Sequence, residues 1–169
     1  QMRIPRENIL GNIGKGFKQF LKTLTIGRIS ISSLALGTAA GAYELALKYS
    51  QERIAFGKKI SSFQGISFKL ADMATQISAS RQLIYHAAWL HDNNKDVIKD
   101  AAIAKLFSSE AAMKITTEAI QIHGGYGYIE DYHVERFFRD AKILEIGEGT
   151  SEVQRIVIAR EILKNFSST

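Results

Sequence analysis

Gly16-Phe17-Lys18-Gln19-Phe20-Leu21-Lys22-Thr23-Leu24 is where the chain changes character. Phe17, Phe20, Leu21 and Leu24 fall at i, i+3, i+4 and i+7, which puts four apolar side chains on one face of an α-helix. The helical period continues through Ile31, Leu34, Leu45 and Tyr49. Between them lies a run dense in small residues, among them Gly27, Ser30, Ser33, Ala35, Gly37, Ala39, Ala40, Gly41 and Ala42. Glycine costs about 1 kcal/mol in a helix interior. Several together therefore predict close approach by another backbone or by a ligand.

On the N-terminal side, Met2-Arg3-Ile4-Pro5 followed by Gly11, Gly14 and Gly16 reads as the end of a strand and a loop leading into the helix. On the C-terminal side Gly57 marks a break, and Ser61-x-x-Gln64 has capping-box spacing for a second helix. Leu70, Met73, Ala74 and Ile77 form its buried stripe, and the pattern runs to about His91. Asp92-Asn93-Asn94 predicts a turn. A third helix spans about Asp96 to Ile122, with Ala102, Leu106, Phe107 and Met113 inward, and Gly124-Gly125-Tyr126-Gly127 stops it. A shorter helical piece covers about Val134 to Asp140. Ser151-x-x-Gln154 is a second capping box, starting a final helix with Val153, Ile156 and Val157 inside. One proline, Pro5, and few alternating β-branched runs argue against a sheet. Three long helices and one shorter one, joined by short turns, predict an all-α fold, an up-and-down four-helix bundle.

The 169 residues are the length of one domain and enough to bury a core. At 46% hydrophobic and 23% charged, the composition is that of an ordinary soluble domain. No apolar run approaches a membrane span, and no secretory signal is visible, so no membrane partner is expected. Opening on Gln1 suggests a trimmed or excised chain. The absence of cysteine removes disulfides, thiolate nucleophiles and cysteine metal sites, and fits a reducing compartment. A formal net charge of +5 suits a polyanion such as a nucleotide cofactor or coenzyme A, and equally a solvated surface. Acids interrupt the basic residues throughout, so nucleic acid is not an expected partner.

The densest unusual region runs from Gln121 to Gln154. It holds Gln121-Ile122-His123-Gly124-Gly125-Tyr126-Gly127-Tyr128, Arg139-Asp140-Ala141-Lys142 and Glu148-Gly149-Thr150-Ser151. The glycine-rich turn lets backbone approach a flat ring or a phosphate, or simply forms a tight turn. Thr150 and Ser151 stand at a helix N-terminus, where free N–H groups favour an anion. Glu148 lies between two glycines, accessible as a reacting carboxylate or as a loop acid near the next helix. Arg139 and Asp140 read as a surface pair and His123 as a structural contact. No second His or Asp stands at ligand spacing, so no metal is expected. Trp89 and the six tyrosines read as packing residues.

A resemblance covers essentially the whole chain. Arg53-Ile54-Ala55-Phe56-Gly57, Phe63-Gln64, Leu70-Ala71-Asp72-Met73-Ala74, Gln121 to Gly127, Val134-Glu135-Arg136, Arg139-Asp140-Ala141-Lys142-Ile143 and Glu148-Gly149-Thr150-Ser151-Glu152 occur in the order seen in acyl-CoA dehydrogenases. The match begins at Pro5-Arg6-Glu7-Asn8-Ile9-Leu10-Gly11. The chain thus resembles the C-terminal helical domain of that family, and Ile26-Gly27-Arg28 leans toward its short-chain-like members. In the family an N-terminal helical domain and a β-domain precede this bundle. By resemblance, residues 1–16 are the exit from that β-domain and residues 17–169 are the bundle.

The resemblance implies oxidation of an acyl-CoA thioester to the trans-2-enoyl-CoA with FAD as hydride acceptor. Glu148 matches the α-proton-abstracting base. Its backbone N–H, with the flavin ribityl hydroxyl, is expected to hydrogen-bond the thioester carbonyl. Some members carry the base on the first helix, just before the arginine matching Arg28. Here that position is Gly27, which strengthens Glu148; Glu145, outside the motif, carries little weight. Arg53, Phe56 and Gln64 would contact the FAD of a neighbouring subunit, and Gln121, Ile122, His123, Gly124 and Gly125 its adenosine diphosphate part. Thr150, Ser151 and Glu152 would lie beside the FAD of their own subunit. Arg28 matches a CoA-associated arginine, and Gly149 borders the substrate. Implied partners are the acyl-CoA substrate, electron-transfer flavoprotein and further copies of the chain, in a dimer or tetramer. The implied location is cytoplasmic, or the mitochondrial matrix in a eukaryote. Many members have Tyr where this chain has Gly147, which leaves chain-length and branching preference open. Two alternatives remain: an acyl-CoA oxidase, or a helical oligomerisation module that is inactive as an isolated fragment.

Overall fold

In a computed structural model that describes residues 2–164, five α-helices account for most of the chain. They are α1 (Gly16–Glu52), α2 (Gln64–Asp92), α3 (Ile98–His123), α4 (Val134–Ile146) and α5 (Ser151–Lys164). A small antiparallel hairpin, β1 (Ile54–Ala55) and β2 (Lys58–Lys59), joins α1 to α2 and pairs Ile54 with Lys59. Residues 165–169, the end of the expected bundle, lie outside the described residues, as does Gln1.

The all-α helical bundle agrees with the reading of the sequence, and α3 is its axis, packing against each of the other four helices. The small residues explain how. On α1, Ser32, Ala35, Ala39, Ala42, Ala46 and Ser50 are buried at spacings of three and four. On α3, Ala101, Ala104, Ser108, Ala112, Ile115 and Ala119 are buried likewise. Two narrow faces let the backbones approach closely, and Leu70, Met73 and Ile77 of α2 fill the remaining core. Buried hydroxyls are satisfied within their own helices: Ser32 donates to the Arg28 carbonyl at 2.5 Å and Thr116 to that of Ala112 at 2.8 Å. At Gly41, an added Cβ would stand 2.8 Å from Cε1 of Phe137, so α4 lies where α1 has no side chain.

Several details depart from the sequence-based expectations. The helical piece expected over 134–140 extends to Ile146, giving a fifth helix. On α3 the buried register takes in Lys105 and Ser108 while Phe107 is exposed, because the face toward α1 accommodates small side chains. On α5 only Val157 of the expected inward trio is buried; Val153 and Ile156 are exposed, and Ser151 and Gln154 take the inner face. Neither capping box forms. α2 starts at Gln64 without a side-chain cap, Ser62 donating instead to the Lys59 carbonyl at 2.6 Å. At α5 the cap is Thr150, one residue early, whose Oγ1 accepts from Val153 N–H at 3.4 Å. Trp89, Tyr85 and Tyr128 are exposed rather than packed inside, and the Lys95 ammonium sits 4.3 Å from the Trp89 ring centroid. The opening stripe is helical but bare: Phe17 is 80% and Phe20 73% exposed.

Candidate functional site

The sequence-predicted residues gather in two places. The first is the turn between α4 and α5. α4 closes with Gly147 N–H donating to the Ile143 carbonyl at 2.7 Å. Glu148 then adopts a left-handed backbone with φ of 57°, and Gly149 follows at 95°. A non-glycine residue in that region costs of order 1–3 kcal/mol and persists only when its surroundings hold it. Two side chains do so here. Gln154 Nε2 donates to the carbonyls of Glu148 at 3.2 Å and Gly149 at 2.8 Å. Lys105 Nζ donates to the carbonyls of Glu145 at 3.1 Å and Gly149 at 2.8 Å. With these carbonyls drawn inward, no group among the described residues accepts the Glu148 N–H.

The Glu148 carboxylate lies across Gly27 of α1. A Cβ on Gly27 would stand 2.6 Å from its Oε2, so the missing side chain is the space the carboxylate occupies. Next to Gly27, Arg28 is buried, its Nε without a partner among the described residues. Burial pushes the Arg28 guanidinium below its ordinary range, the Arg160 charge adds to that, and the Glu148 charge opposes it. Ser151 Oγ is another buried polar atom without a partner among the described residues. Glu152 is exposed on the first turn of α5, and its carboxyl is held below the usual range by its own backbone N–H and the Thr150 hydroxyl. Glu148, Gly149, Thr150, Ser151, Glu152 and Arg28 thus belong to one neighbourhood.

The second place is a concave pocket of about 550 Å³ where the C-terminal ends of α1 and α3 meet. Arg53, Gln121, Ile122, His123, Gly124 and Gly125 line it, with Tyr49, Ile60, Tyr126 and Ile129. Gly124 takes φ of 62°, and an added Cβ at Gly124 or Gly125 would meet nothing within 4 Å, so backbone is open to the pocket. The Arg53 guanidinium lies 5.6 Å from the Tyr126 ring centroid. His123 is buried, stacks on Tyr49 at 4.3 Å and places Nδ1 2.8 Å from the Ala119 carbonyl. A carbonyl only accepts, so Nδ1 carries the proton. Burial pushes the imidazole below its ordinary 6.5 despite that hydrogen bond. Phe56 and Gln64 fall outside the pocket lining: Phe56, at the hairpin tip with φ of 50°, is 96% exposed, and Gln64 is exposed at the start of α2.

Along α1 the two places are about 36 Å apart, from Arg28 to Glu52 at 1.5 Å per residue. Arg139 pairs with Glu135, Nε to Oε2 at 2.7 Å, rather than with Asp140. Sequence reading missed Lys105 and Gln154. A lysine at a core-facing position among Ala101, Ala102, Ala104 and Ser108 was the available signal for the first; the second stands in the sequence only as the far member of the expected capping box.

The chain is 58% identical over 163 residues to the probable acyl-CoA dehydrogenase YngJ of Bacillus subtilis, covering 96% of this chain and 43% of that protein. It is 48% identical over 163 residues to the caffeyl-CoA reductase-Etf complex subunit CarC of Acetobacterium woodii, again covering 96% and 43%. The butyryl-CoA dehydrogenase structure from Megasphaera elsdenii superposes with a TM-score of 0.94 at 52% identity, over 95% of this chain and 42% of that one. The chain therefore spans about two-fifths of the length of the relatives it matches. Residues 14–163 match the model of the acyl-CoA dehydrogenase C-terminal domain, and the chain belongs to that family, with short-chain relatives among its matches.

Proposed function

We propose that the protein containing this domain is an FAD-dependent enzyme that oxidises an acyl-CoA thioester to the trans-2-enoyl-CoA, with Glu148 as the α-proton acceptor. The observation that carries this is the Glu148 carboxylate seated over Gly27, on a left-handed turn whose N–H has no acceptor among the described residues. In that arrangement the carboxylate takes the α-proton while the same residue's N–H donates to the thioester carbonyl as negative charge develops. FAD, when bound, supplies the acceptor for the β-hydrogen and its electron pair, and the Cα–Cβ double bond closes the balance. Arg28 and Gly149 border the acyl-CoA, and Thr150, Ser151 and Glu152 lie beside the flavin of the same subunit. Arg28 Nε and Ser151 Oγ, buried and without partners among the described residues, are the polar atoms such ligands would satisfy.

The pocket at the far end of α1 suits a nucleotide cofactor: it has a cation in Arg53, open glycine backbone and aromatic walls. Gln121 to Gly125, with Arg53, Phe56 and Gln64, would hold a flavin belonging to a second copy. The separation of about 36 Å along α1 supports a divided site, and with it a homo-oligomer. Residues 1–16, exposed wherever described, are read as the exit from a preceding β-domain. Electron-transfer flavoprotein is the proposed redox partner, a reading supported by the Etf complex named for the Acetobacterium relative.

The test is flavin bleaching by acyl-CoA in the full-length flavoprotein. Glu148→Gln is expected to retain FAD and lose bleaching by at least about 1,000-fold, the scale of removing a catalytic base. Normal dehydrogenation by that variant overturns the assignment. Peroxide formed at the turnover rate in air would mark an oxidase instead.

A further inference from the structure

Lys105 is fully buried, yet among the described residues no carboxylate lies within ion-pair distance of it. The nearest acid by influence, Glu145, gives its carboxylate to Lys142 at 2.5 Å. What the Lys105 ammonium touches is backbone: the carbonyls of Glu145 and Gly149, on either side of Glu148. Taking an ammonium out of water for two neutral acceptors is unfavourable, and an apolar side chain would fill the same space without that cost. The observation calls for a reason beyond packing.

We propose that Lys105 is a positioning residue for the reaction, orienting the Gly149 carbonyl inward so that the Glu148 N–H and carboxylate point to the substrate. This rests on the reading of Glu148 as the base. The geometry carries it. Glu148 and Gly149 both hold left-handed conformations, so the peptides around them flip readily unless their carbonyls are fixed. The Gly149 carbonyl receives two donors at 2.8 Å each, one from Lys105 on α3 and one from Gln154 on α5. Lys105 also reaches the Glu145 carbonyl in the last turn of α4, so one ammonium ties together the two segments flanking Glu148. Because α3 is the axis of the bundle, the turn is referenced to the helix that packs against all the others. Burial pushes the ammonium below its ordinary range, against the pull of Glu145. A charged donor nonetheless grips a carbonyl more strongly than a neutral one.

The experiment uses full-length, FAD-loaded protein with butyryl-CoA as the probe. Lys105→Met keeps the volume and removes the donor. The expected result is unchanged FAD content and butyryl-CoA KM, with kcat per bound flavin lower by about 10- to 100-fold, the scale of a reacting group displaced by about 1 Å. The isotope effect with α-deuterated butyryl-CoA should also rise, because proton abstraction becomes more rate-limiting. A purely structural lysine would lower Tm or FAD content and leave kcat per flavin and the isotope effect alone; that result overturns the proposal. If Lys105→Met does not accumulate as flavoprotein, Gln154→Leu, which removes the other donor to Gly149, is expected to give the same pattern, and wild-type kcat there overturns it. Glu148→Gln run in parallel separates the two readings. Wild-type turnover by Glu148→Gln sinks the base assignment itself, whereas an inactive Glu148→Gln beside a wild-type Lys105→Met sinks only the role of Lys105.

Discussion

Gly27 and Glu148, far apart in the chain, occupy one small volume, and this makes stability and activity separable at a single position. A methyl group on Gly27 would stand 2.6 Å from Oε2 and 3.0 Å from Cδ of Glu148. In helix α1 the same substitution relieves a glycine penalty of about 1 kcal/mol. Gly27→Ala is therefore expected to hold or raise Tm while slowing flavin bleaching by acyl-CoA by at least about 10-fold, because the carboxylate must move to make room. Thermal melts and single-turnover bleaching on the full-length flavoprotein check both halves; an unchanged bleaching rate would show that the carboxylate works from somewhere else.

At the scale of elements, the short helical turn after α3 (Gly124–Tyr128) is locked onto the helix it follows. A Cβ on Gly127 would lie 2.5 Å from the Ile120 carbonyl oxygen and 2.9 Å from His123 Cβ. Backbone cannot give way as a side-chain tip can, so Gly127→Ala is expected to lose about 1–3 kcal/mol of stability, read from denaturant midpoints. No loss would mean that the turn is free to shift. Much of this organisation was legible in the sequence: the helical period from Phe17, the glycines ending α3, and the acid between two glycines. What was not legible has physical causes. Periodicity identifies an apolar face but not what covers it, so Phe17 and Phe20 read like core residues and stand bare. The register of α5 is not legible because its inner face carries Ser151 and Gln154, polar residues, of which Gln154 is held there by the Glu148 and Gly149 carbonyls of the preceding turn. The core-facing register of Lys105 is visible in the sequence, but its partners are not, since they are backbone atoms about forty residues away. Ser61 lost its capping role to a preceding turn, Ile60–Ser62, that spacing alone does not reveal.

For the whole molecule, acid should loosen the end of the bundle that holds the pocket. The buried His123 is neutral in the fold with its affinity for protons below the ordinary 6.5. Between that folded value and about 6.5 the unfolded chain binds more protons than the folded one, so stability rises with pH across the window. The contribution is complete above about 6.5 and is lost as pH falls through the folded value. Thermal melts at descending pH should show this slope, and His123→Phe, which keeps a ring against Tyr49, should flatten it; an equal slope in the variant would assign the acid sensitivity to other groups. The two neighbourhoods are both carried by α1, a single rod with Gly27 and Arg28 about a third of the way along and Arg53 at its C-terminal end. Such a rod carries a phase as well as a length. Inserting one residue near its middle would turn one end against the other by about 100° and lengthen it by about 1.5 Å. Inserting four would nearly restore the rotation and leave a gap of about 6 Å. Neither keeps both ends in register with α3, so α1 tolerates exchange of its side chains far more readily than any change in their number.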